Sequence, residues 1–163
     1  MKIPLFVGLT LFALLFPQVA IAQKNPKFAA CVLDTDLLDE QGQPTRPGLV
    51  TAYTYSQSEM TLPSLWWAQE QFGEGKLLVN WIAHLQEKRL DLIVNWQLWS
   101  VLSYVERYSF VHRFGTVARQ YGYQLKVFDQ RSECLALYTC NFDAAVSPCS
   151  IELDPTTRGR FRL

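Results

Sequence analysis

Two histidines, fifteen carboxylates and four cysteines are the groups in this 163-residue chain that could carry chemistry. A serine or cysteine hydrolase needs a nucleophile, a base and an orienting group brought together, and the Gly-x-Ser-x-Gly elbow that advertises one common form is absent. His84 and His112 are the only imidazoles, and their spacing carries no zinc signature even with a carboxylate added. Glycoside cleavage asks for two carboxyl groups roughly 5–9 Å apart, drawn from anywhere in a chain. Glu59, Glu70, Glu87, Asp91 and Glu106 qualify by type alone. Glu70 is the least ordinary, because it shares an expected helix with Trp66 and Trp67, and apolar surroundings favour the protonated carboxyl that a general acid uses. Glu70, His84 and His112 are thus the catalytic candidates, each more simply read as a solvated or core-edge side chain. No metal and no cofactor is called for.

Cys31, Cys134, Cys140 and Cys149 form an even set, which in an exported chain points to disulfides. Cys134 and Cys140 lie six apart on one expected strand, about 20 Å when extended, whereas a disulfide needs Cα atoms within roughly 7 Å. Cys140 and Cys149 flank the turn over 143–148 symmetrically, so a hairpin would oppose them and close the loop for about 2–3 kcal/mol. Cys31 would then join Cys134. The spacing leaves a second pairing open, Cys31–Cys140 with Cys134–Cys149. Metal ligation would need cysteines two to four residues apart or beside a histidine, and no such pair exists. Phe28-Ala-Ala-Cys31 carries the small residues of a lipoprotein cleavage box, but Lys24, Asn25, Pro26 and Lys27 separate it from the apolar leader, so lipid anchoring at Cys31 is not expected.

Aromatic residues make up 13 % of the chain, and Trp66, Trp67, Trp81, Trp96 and Trp99 crowd one stretch of it. Their ordinary place is the core. Two or three of them at the surface would instead make an apolar patch of the kind where Trp, Tyr and Arg dominate binding energy or stack on sugar rings. Trp67, Trp96 and Trp99, with Tyr104 and Arg107 nearby, are the candidate binding residues.

The elements that must position these groups centre on 89–142. Leu90, Leu92 and Val94 alternate with Arg89, Asp91 and Asn95, the period-2 pattern of a strand. Asn95 suits a helix cap, and from Trp96 to Tyr121 apolar residues return at three- and four-residue steps with no proline, giving one amphipathic helix or two. Gly122 fits the left-handed position after the last turn. Strands follow over 123–129 and 134–142. Glu106, Arg107, Arg113 and Arg119 fall on the wet side of the long helix. Upstream, 49–55 is β-prone and suits an edge strand. Thr61 or Ser64 caps a helix whose first turn holds Pro63 and which ends at Gly73, and 76–86 reads as a second short helix, with a strand over 77–82 as the competing reading. A short strand is expected near 30–33. The acidic run Asp34, Asp36, Asp39, Glu40 lacks calcium-loop spacing and reads as a solvated loop. The fold class is α+β: one domain with a strand–long helix–strand–strand core, an antiparallel or mixed sheet, and smaller helices before it.

Lys2, an apolar run over 3–16 and Ala20-Ile-Ala22 make a secretory signal peptide cleaved before Gln23. The run is shorter than the roughly 20 residues that span a bilayer, and no later stretch is long enough to do so. The expected layout is a signal peptide over 1–22, a polar segment over 23–60, the core over 61–154 and a basic tail over 155–163. Fifteen basic residues balance fifteen acidic ones, and losing Lys2 leaves a mature charge of about −1, without the basic face that phosphate contacts demand. Only Arg158, Arg160 and Arg162 are locally basic. Nucleic acid is therefore not an expected partner.

Leu62-Pro-Ser-Leu-Trp-Trp-Ala-Gln-Glu-Gln-Phe72, the 91–99 run, Tyr104-Val-Glu-Arg-Tyr108 and Phe114-Gly-Thr-Val-Ala-Arg-Gln-Tyr-Gly122 together resemble a family of uncharacterised exported proteins from cyanobacteria. The resemblance covers Thr61 to Phe142. It implies the periplasm or the thylakoid lumen as destination and implies no activity. The expected function is a non-enzymatic exported domain that binds a partner protein, or assists an envelope or lumenal complex, through an aromatic surface. The alternative is a hydrolase of envelope polysaccharide or peptide using Glu70 and one histidine.

Overall fold

The alternation over 89–94 forms a central strand, and the rest of the chain is laid around it. The computed structural model describes residues 25–52, 75–146 and 148–155. Six strands, β1 (Leu49–Thr51), β2 (Leu78–His84), β3 (Arg89–Val94), β4 (Gln124–Asp129), β5 (Cys134–Cys140) and β6 (Cys149–Leu153), make one sheet in sequential order. Every neighbouring pair is antiparallel except β3 with β4, where Asp91 lies opposite Lys126 in parallel register. A parallel pair needs a long crossover. Two helices supply it, α2 (Trp96–Val101) and α3 (Tyr104–Gln120), after the single turn α1 (Pro26–Ala29) near the start. The α+β class and the strand–helix–strand–strand order are those expected.

The long apolar run is two helices because the backbone turns extended at Leu102 and Ser103. Asn95 caps α2, its side chain accepting from the Leu98 N–H, and Gly122 takes φ +75° where α3 ends. The helix expected over 76–86 is instead β2. Trp81 and Ala83 face α3 while Ile82 and His84 face the other side, and both sides are covered. A strand buried on both faces loses its alternation and reads like a buried helix. The strand expected near 30–33 is also absent: Asn25 and Pro26 start a helical turn there, and Cys31 is drawn to β5 by its disulfide. The helix expected over 63–73, the signal peptide and the tail from 156 lie outside the described residues.

The sheet separates two cores. On one face Leu90, Leu92, Val94, Leu125 and Val127 pack under Trp99, Phe110, Val111, Phe114 and Ala118. On the other, Ile82, Phe128 and Leu137 pack under Phe28, Leu33 and Leu37 of the N-terminal segment, which Cys31–Cys134 fastens across 103 residues of chain. Cys140–Cys149 joins directly opposed residues of β5 and β6. The pairing suggested by the hairpin is the one present. No helix among the described residues is long and apolar enough to cross a membrane.

Candidate functional site

The outward face of α3 and the end of α2 bring exposed apolar residues together, Val101, Tyr104, Val105 and Tyr108, whereas Val32, Val79 and Val146 are exposed elsewhere in the described chain. Ser103 opens the helix with a capping box: its hydroxyl accepts from the Glu106 N–H, and the Glu106 carboxylate accepts from the Ser103 N–H at 2.7 Å. Hydrogen bonds to the Glu106 carboxylate from the Ser103 side chain and from the Ser103 backbone N–H hold this carboxyl below its ordinary pKa. One turn on, Arg107 turns inward. Its Nε donates to the Trp99 carbonyl at 3.2 Å and its NH2 to the Ser100 carbonyl at 3.0 Å, closing the last turn of α2. Burial lowers its pKa.

This junction directs Tyr104, Tyr108 and His112 outward at i, i+4 and i+8. Tyr104 stacks on Tyr108 with ring centroids 6.4 Å apart, and Tyr108 on His112 at 6.2 Å and 12°. Tyr104 is 61 % exposed, Val105 69 % and Val101 71 %, so the stripe continues apolar onto the end of α2. Beside it a cavity of about 520 Å³ opens between the α2–α3 junction and the end of β6, with Ser103, Tyr104 and Glu106 on one wall and Leu153, Asp154 and Pro155 on the other.

A second polar cluster lies on the opposite side of the sheet, where β2 turns into β3. His84 Nε2 is 2.8 Å from Asp91 Oδ2, and Arg89 Nε donates to Asp91 Oδ1 at 3.0 Å. Arg89 also pairs with Glu87. Asp91 is wholly buried and His84 nearly so. Lys126, next to Asp91 in register, has its pKa lowered by burial and by Arg89, against the pull of Asp91 and Glu87. Asp91 therefore has its lone pairs committed to Arg89 and His84, an arrangement that neutralises a buried carboxylate and ties the β2–β3 hairpin together.

The expected site residues are thus dispersed. Trp67 and Glu70 lie outside the described residues. Trp99, expected at the surface, is fully buried: the break at Ser103 turns its ring inward, edge-on to Phe110 at 5.7 Å and 81°. Arg107, expected on the wet side, is buried for the same reason. Trp96 is partly covered, with the Arg131 guanidinium 5.5 Å over its ring. Tyr104 is exposed as a binding residue must be. His84 and His112 stand on opposite sides of the sheet, so no one site holds both. No group of three or more metal-ligating side chains occurs among the described residues. Val101 and Val105, which belong to the apolar periodicity expected over 96–121, are exposed instead, because the break at Leu102 and Ser103 divides that run. Tyr108 was passed over, although the Tyr104-x₃-Tyr108-x₃-His112 spacing marks it, running opposite Phe110 and Phe114.

No family model, curated protein or solved structure matches the chain.

Proposed function

We propose that this is a non-enzymatic exported domain, of the kind it resembles among cyanobacterial proteins, that docks a partner protein through the outer face of α3. The observation that carries the reading is the stacked ladder Tyr104–Tyr108–His112, continued by Val101 and Val105, at the surface of a helix whose other side is fully packed. Stacked tyrosines are already ordered, so they lose little conformational freedom when a partner covers them, and aromatic anchors of this kind supply most of the energy of protein interfaces. The partner presents an apolar surface that fills the cavity beside Tyr104. Two disulfides agree with an oxidising compartment, and the periplasm or thylakoid lumen is the proposed destination.

The test is recovery from the native compartment with tagged mature chain, the double variant Tyr104→Ser/Tyr108→Ser, and the control Val32→Ser, which alters an exposed apolar residue elsewhere. A stoichiometric partner held by the parent and the control, and bound at least about 30-fold more weakly by the stripe variant, is the expected result, equivalent to about 2 kcal/mol at a hot spot. Equal retention by the folded stripe variant, or no partner in any fraction, overturns the reading.

A further inference from the structure

The two disulfides sit in unlike surroundings. Cys31–Cys134 is enclosed in the core cluster of Phe28, Leu33, Leu37 and Phe128. Cys140–Cys149 sits at the turn end of the β5–β6 hairpin, with Cys149 only partly covered, and both cysteines line a shallow surface depression of about 430 Å³. Among the described residues β6 is the last strand of the sheet, paired with β5. An attacking thiolate must reach a disulfide sulfur, and of the four cysteines Cys149 is the one that is not buried, standing at the edge of the α3-side core with the depression beside it.

We infer that Cys140–Cys149 is a thiol–disulfide exchange site for a protein dithiol, and that its opening alters the α3 surface through β6. A thiolate of the reductant attacks Cys149 Sγ, and Cys140 Sγ leaves as a thiolate that takes a proton from water. The second thiol of the reductant, deprotonated, attacks the mixed disulfide and releases Cys149. Two electrons pass to the chain, which gains two thiols, and the reductant becomes a disulfide. Cys140 stays anchored afterwards, because Gln124 Oε1 accepts from its N–H at 2.7 Å and Gln124 Nε2 donates to its carbonyl at 2.7 Å. The strand released is β6. At its far end Leu153, Asp154 and Pro155 wall the cavity that Tyr104 borders, so a change at the hairpin is transmitted along five residues of strand to the α3 stripe. The exchange site stands by itself, and the regulation rests on the docking role proposed for α3.

The mature chain is treated with graded thioredoxin, quenched by alkylation, and its cysteines assigned by peptide mass spectrometry. Cys140 and Cys149 should be labelled at least about 10-fold faster than Cys31 and Cys134. Simultaneous opening, or Cys31–Cys134 first, overturns the exchange site. Thioredoxin with its resolving cysteine changed to serine should be trapped on Cys149, and trapping on Cys140 overturns the stated direction of attack. After selective reduction, amide exchange over Cys149–Leu153 should rise about 10-fold with β2, β3 and β4 unchanged, and the fluorine resonance of 3-fluorotyrosine at Tyr104 should move. A selectively reduced chain with neither change keeps the exchange site and overturns its regulatory role. Failure of the docking role would appear separately, as equal partner retention by Tyr104→Ser/Tyr108→Ser, and leaves the alkylation result untouched.

Discussion

Two aromatic ladders run along α3, the inner one beginning at Trp99 of α2, and they differ in what surrounds them. The inner one, Trp99, Phe110 and Phe114, is fully buried, with Phe110 and Phe114 centroids 4.6 Å apart, and it roofs the sheet. The outer one, Tyr104, Tyr108 and His112, stacks just as regularly but covers nothing in the described chain. Burial converts the inner rings into folding energy. The outer rings stay exposed, Tyr104 at 61 % and Tyr108 at 41 %, so their order adds less to stability and is available for binding.

The widest separation between the ladders should come from truncating one ring of each. Phe114→Ala should cost about 3–5 kcal/mol, the lost transfer energy plus the cavity left under α3. Tyr108→Ala should stay within about 0.5 kcal/mol of the parent, as surface changes usually do. Urea unfolding of both variants checks this. A large loss from Tyr108→Ala would show that the outer ladder belongs to the fold and would remove the ground for a docking role.

How far this contrast could be read beforehand depends on which physical signal each residue left. In β3 and β4 polar residues such as Asp91 and Lys126 still interrupt the apolar ones, so the alternation survives and these strands and the intervening helical run were legible; β5, covered on both faces like β2, was marked by its apolar run and the polar turn before it. β2 was misread because cover on both faces erased its alternation. Trp99 was not legible as buried, because aromatic crowding does not say which rings face out, and the break at Ser103 resets the helical phase between it and Phe110. That break had its own signal, the Ser103-x-x-Glu106 pattern of a capping box, which points to a helix start inside the run. The buried His84–Asp91–Arg89 cluster was not legible at all, since it depends on the β2–β3 register that sets His84 opposite Arg89. The disulfides were half legible: local symmetry suggested Cys140–Cys149, while Cys31–Cys134 followed only from elimination.

Gly115 sharpens the comparison from within the helix. A Cβ there would lie 2.4 Å from the Tyr138 ring of β5, so α3 comes this close to the sheet only because the position has no side chain. Gly115→Ala improves helix propensity by about 1 kcal/mol but forces the helix or the ring to move, which costs about 1–3 kcal/mol. The net should be a loss of up to about 2 kcal/mol by denaturant titration. Because clash and ring are one interaction, Gly115→Ala combined with Tyr138→Leu should destabilise by less than the sum of the two single changes. Additive costs would mean that the inner side of α3 is held less closely than the geometry indicates.

A small loss should come from the junction that sets the two ladders apart. Ser103→Ala removes the hydroxyl that accepts from the Glu106 N–H and should cost about 1 kcal/mol. Glu106 adds a pH signature. Its carboxyl is held below the ordinary value by the Ser103 hydrogen bonds, so the folded chain binds the proton less readily than the unfolded one. The stabilisation is then complete above the unfolded carboxyl's pKa, about 4.3, and is lost as pH falls through the lower folded value. Glu106→Gln can still accept from the Ser103 N–H but cannot titrate. Its unfolding free energy should therefore fall less steeply than the parent's below about pH 4.3, with the two curves parallel near neutrality. If the curves stay parallel through the acid range, the Glu106 carboxylate is not holding the start of α3, and the outward placement of Tyr104 and Tyr108 must come from Arg107 closing the end of α2.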